Sequence, residues 1–124
     1  MTRTTISVIL LGIAALGGVV LATLRLRQKP IPLVVALLHG VLAASGIITL
    51  LSFVLDLVSV AGSTAIVGFM PLALALFVGA AIGGLVLFSY HVRGELLPRK
   101  LMYVHAFVAL LAYACLLVGV VTGK

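Results

Sequence analysis

Four runs of apolar residues, at 4–24, 31–55, 64–90 and 101–121, contain no Asp, Glu, Lys or Arg and take up most of a 124-residue chain. Each holds about twenty residues or more, and at about 1.5 Å per residue a helix of that length crosses the roughly 30 Å hydrocarbon core of a bilayer. Backbone N–H and C=O groups in lipid must be satisfied within the protein, so runs of this kind form helices. A water-soluble fold is excluded on the same ground. Only 8% of the residues are charged, where a soluble domain carries about 25% to cover its surface. The expectation is an all-α polytopic membrane protein, a single transmembrane domain over 1–124 with four transmembrane helices. Little chain is left for a separate catalytic domain, so chemistry on a soluble partner would belong to another chain.

The edges of the runs carry their own signals. The first run is longer than the 7 to 15 apolar residues of a signal peptide, and Arg25-Leu26-Arg27-Gln28-Lys29 follows it instead of a small-residue cleavage site, so it is read as a span. The second opens on Pro30 and Pro32, tolerated at a helix start, and closes at Asp56. The third begins between Ser63 and Pro71: either Ser63 or Thr64 caps a longer, kinked helix, or Pro71 lies in the first turn and 57–70 is an interfacial loop. The polar stretch 91–100 separates it from the fourth. Cys115 is the lone cysteine and lies within an apolar run, which rules out an intrachain disulfide and a CxxC motif.

The formal charge of +6 would point to nucleic acid in a soluble protein, but here the cations flank apolar runs. Arg25, Arg27 and Lys29 lie between helices 1 and 2, and Arg93, Arg99 and Lys100 between helices 3 and 4, leaving Arg3 and Lys124 for the other side. The bias of basic residues toward the cytoplasm then puts both turns inside and both termini outside, as in a bacterial inner-membrane protein. Short connections imply an up-down-up-down bundle in which helices 2 and 4 run parallel on a diagonal. Ala14 with Gly18, Gly79 with Gly83 and Ala80 with Gly84 are spaced by four, as expected where helix backbones approach closely.

Two histidines lie inside the spans, His39 in helix 2 and His105 in helix 4. Ionisable groups at membrane depth are costly and mark functional sites by default. His39 follows Pro30 by nine residues and His105 follows Lys100 by five, so along helices of about 1.5 Å rise their depths differ by only about one turn. The His39 face continues through Ala36, Ala43 and Gly46, and the His105 face through Ala109 and Ala112, leaving a strip of small side chains beside each imidazole. Two facing histidines beside such strips form a slot for a flat macrocycle held through its metal, with His39 and His105 as axial ligands of a b haem. Arg25, Arg27, Lys29, Arg99 and Lys100 border that end of the bundle and are placed to meet the propionates. His91, at the end of helix 3, reads as an interfacial residue, with a propionate or quinone contact or a share in the ligation as alternatives.

The segments Leu38-His39-Gly40 through Ala43-Ala44-Ser45-Gly46 and Val104-His105-Ala106 through Ala112-Tyr113 resemble the histidine helices of small four-helix membrane b-type cytochromes, a group that includes cytochrome b561-like proteins. The resemblance implies an electron-transfer subunit of a membrane oxidoreductase, with quinone and other membrane or redox subunits, or a second copy, as partners. The two-haem members carry two histidine pairs. This chain has one intramembrane pair, which implies one haem. Three other readings stay open: proton relay or quinone binding at the histidines; hydrogen-bonded glue between helices, a contribution of about 0.6 kcal/mol on average; and a cofactor-free structural or assembly subunit. Small multidrug transporters share the size but need a glutamate in their first helix, and small fluoride channels need polar partners beside their phenylalanines; both features are missing here.

Overall fold

The computed structural model describes residues 1–62 and 67–123, and the regular elements among them are α1 (Arg3–Leu26), α2 (Leu33–Ala61), α3 (Phe69–Val92) and α4 (Arg99–Thr122). Each is long and apolar enough to cross a membrane, and together they form the expected all-α four-helix bundle. The Thr2 side chain caps α1 by accepting the Thr5 N–H. Pro32 and Pro98 are the cap residues of α2 and α4, with extended backbone, a position where the absence of an N–H costs nothing.

Two boundaries differ from the sequence reading by more than two residues. The second helix passes through Asp56 and continues to Ala61, because the Asp56 carboxylate pairs with Arg3 on α1 and 57–61 holds no breaker. Gly62 then ends it at φ 71, its N–H bonded to the Val58 carbonyl. The third helix starts at Phe69 with Pro71 in its first turn, so the connection is shorter than 57–70; Ser63 and Thr64 lie outside the described residues.

The bundle is two tight hairpins laid side by side. Packing is closest between α1 and α2 and between α3 and α4; the hairpins meet more sparsely along α2–α3 and α1–α4, which leaves α2 and α4 on a diagonal. The hairpins are copies of one unit, displaced by 66 residues. Ala14-Ala15-Leu16-Gly17-Gly18 recurs as Ala80-Ala81-Ile82-Gly83-Gly84, and Arg27, Pro32 and His39 recur as Arg93, Pro98 and His105. Both first helices, and both second-helix starts, keep that displacement. So does the turn: the N–H groups of Arg27, Gln28 and Lys29 bond to Thr23, Arg25 and Leu24, as those of Arg93, Gly94 and Glu95 bond to Ser89, His91 and Tyr90. Gln28 and Gly94, at φ 55 and 71, occupy the same left-handed corner of that turn.

The main core lies in one half of the bundle. Leu11, Leu50, Val54, Met70, Ala73, Phe77, Ala112 and Leu116 form one buried cluster, and every one lies beyond the two histidines as seen from the basic turns. Leu11 fills the space beside Gly46, where an added Cβ would stand 2.6 Å from its Cγ.

Candidate functional site

The histidines stand where the core gives way to the basic end. Nδ1 of His39 lies 2.8 Å from the Ala14 carbonyl oxygen, and Nδ1 of His105 lies 2.8 Å from that of Ala80. A carbonyl only accepts, so each Nδ1 carries a proton, and in the neutral imidazole each Nε2 then keeps its lone pair. Both bonds stay within one hairpin, from its second helix to its first. The glycine pairs make the approach possible. A Cβ on Gly18 would stand 3.2 Å from His39 Cε1, and one on Gly84 3.0 Å from His105 Cε1. Gly17 and Gly83 face the Cβ atoms of the same histidines at 3.6 and 3.8 Å.

The copies put the two imidazoles opposite each other. Their ring centroids are 6.2 Å apart and their planes cross at 80°. Both residues are half-buried, as are Ala43 and Ala109, one turn along the same faces. The rest of the expected strip serves a different end: Gly46 receives Leu11, and Ala112 is fully enclosed in the core.

Of the five cations expected at the site, three come together. Arg25, Lys29 and Arg99, with Gln28 and Leu96, line a cavity of about 330 Å³ at the basic end. The Arg25 Nε also donates to the Leu97 carbonyl at 2.9 Å, tying one hairpin to the turn of the other. Arg27 and Lys100 are exposed and lie outside that lining. His91 takes the position in the second copy that Arg25 holds in the first, and its ring lies 6.3 Å from that of Phe88. It is not among the residues brought to the histidine pair.

Sequence reasoning found the two histidines by the contrast of polar with apolar, and missed what holds them: the Ala14 and Ala80 carbonyls and Gly17, Gly18, Gly83 and Gly84 acting as notches for the rings. The signal that reveals these is the 66-residue repeat, in which both glycine pairs keep the same distance from their histidine. The donor set suits an axial pair. Comparison with protein-family models, with curated proteins and with solved structures gives no match to this chain.

Proposed function

We propose that the chain is an integral-membrane b-type cytochrome, or the haem-binding subunit of a membrane oxidoreductase, with one haem b ligated by His39 and His105 and electrons exchanged with quinone. The observation that carries this reading is the spacing of the imidazoles. Two metal–nitrogen bonds of about 2 Å, with roughly 1 Å from each nitrogen to its ring centre, ask for about 6 Å between centroids. The bundle holds them at 6.2 Å. Histidines that bind metal through one nitrogen characteristically donate the other N–H to a carbonyl or carboxylate, which fixes the ring and makes the ligating nitrogen more basic. Both imidazoles have that anchor.

The haem supplies reversible one-electron transfer when bound. The chain's part would be to hold two imidazoles at fixed spacing, to keep small residues at Ala43 and Ala109 one turn along, and to present cations at the adjoining end. We place that end in the cytoplasm of a bacterial cell and both termini outside, on the six basic residues of the two turns.

The visible spectrum of the chain, expressed with haem supply and purified in detergent, tests the reading. The expected result is a low-spin b-type spectrum at one haem per chain, with His39→Ala and His105→Ala each losing the haem or turning high-spin. An unchanged low-spin spectrum in either variant removes that histidine as a ligand. A second reading, hairpins locked by imidazole–carbonyl bonds in a cofactor-free assembly subunit, is favoured by the fact that each bond stays within its own hairpin. It expects no haem at all, and loss of hairpin stability in the same variants.

A further inference from the structure

The chain has two acidic side chains, and both are spent away from the basic-end cavity: Asp56 pairs with Arg3, and Glu95 with Arg93. Arg25, Lys29 and Arg99 therefore share one cavity with no carboxylate partner among the described residues. The repeat shows that this is a feature of one copy. The positions equivalent to Arg25, Gln28, Lys29, Leu96 and Arg99 are His91, Gly94, Glu95, Pro30 and Leu33, so the equivalent set in the other copy carries no permanent cation and an acid that is itself paired with Arg93. A general attraction to the membrane surface would be served equally by either copy. Concentrating three cations in one of them fits a discrete anion.

We propose that this cavity binds a phosphate group, supplied by an anionic phospholipid of the adjoining leaflet. Its walls match that ligand. Arg25 is half-buried and held by the Leu97 carbonyl, so its guanidinium is positioned before a ligand arrives. Arg99 opens α4, whose cap residue Pro98 offers no side-chain acceptor, so the free N–H groups of the first turn add positive field. Leu96 supplies an apolar wall and is 80% exposed, a place for the start of an acyl chain. Basic pockets between helices at a membrane surface are lipid-headgroup sites by the same chemistry. This inference does not rest on the haem reading.

Native mass spectrometry of the full chain, released from nanodiscs of equal parts phosphatidylglycerol and phosphatidylcholine, tests it. The wild type is expected to retain one phosphatidylglycerol in preference to phosphatidylcholine. At roughly fivefold per cation, the triple variant Arg25→Gln, Lys29→Gln, Arg99→Gln should weaken retention about a hundredfold. The variant Arg27→Gln, Lys100→Gln, which removes two cations of the same end outside the cavity, should keep the lipid. Equal retention in the triple variant overturns the proposal. Release of the lipid by millimolar inorganic phosphate overturns the lipid assignment in favour of soluble phosphate. The double variant His39→Ala, His105→Ala should leave lipid retention unchanged, and a rise in retention there would show that haem propionates hold the cavity in the wild type and overturn the lipid as its occupant.

Discussion

An imidazole whose Nδ1–H is tied to a helix carbonyl presents its other nitrogen as a base, and glycine decides whether the ring can come that close. The two glycines of each pair differ in how much room they leave. Gly18→Ala and Gly84→Ala would put a methyl 3.2 and 3.0 Å from an imidazole carbon, so ring or helix must shift by a few tenths of an ångström; Gly17→Ala and Gly83→Ala bring ordinary contacts at 3.6 and 3.8 Å. The first two are expected to cost about 1 kcal/mol or more and, on the haem reading proposed above, to convert part of a low-spin spectrum to high-spin, while the other two leave it intact. Thermal melts and spectra of the four variants check this, and four equal results would mean the notch does not constrain the ring. The histidines were legible in the sequence because an imidazole is costly at membrane depth and these runs hold no Asp, Glu, Lys or Arg beside it. The notches were not, because small residues spaced by four look alike whichever neighbour they face. Gly79, which shares that spacing, has open space where its Cβ would be.

At the level of helices, hydropathy told where the chain crosses a membrane and backbone chemistry told where each crossing ends. Asp56 looked like a terminus because a carboxylate is costly in lipid, yet a cation from a neighbouring helix satisfies it without interrupting a hydrogen-bonded turn. The faces beside the histidines divide in the same way between two uses. Gly46 is occupied by Leu11, so Gly46→Ala should destabilise the bundle by about 1 to 3 kcal/mol through overpacking. Ala43 and Ala109 are half-buried one turn along from the histidines, so on the haem reading proposed above Ala43→Leu and Ala109→Leu should lower the haem-to-protein ratio while the chain still inserts. Measuring melting temperature and haem content on the same preparations separates the two. Full haem content with lost assembly in Ala43→Leu and Ala109→Leu would favour the structural subunit.

Taken whole, the molecule is one hairpin used twice, and the sequence carried that fact openly in Ala-Ala-x-Gly-Gly and in the turn that follows it. It is hard to notice because hydrophobic spans resemble one another by composition, whereas the matching turns and the equal bonds to Ala14 and Ala80 show that the register of the repeat is spatial. Each copy has its own basic turn, so neutralising Arg25, Arg27 and Lys29 should leave the orientation of the chain unchanged, and likewise Arg93, Arg99 and Lys100. Neutralising both sets should produce a mixed population, as read by reporter fusions at residues 1 and 124. Inversion by either set alone would show that one turn dominates. A hairpin is the smallest spanning unit that brings the chain back to the side it left. Joined head to tail, a second hairpin therefore enters the bilayer the same way up as the first, and its histidine comes to the same depth. A unit of one or three spans, copied in that way, would have been turned upside down and would have carried the two imidazoles to opposite faces of the membrane.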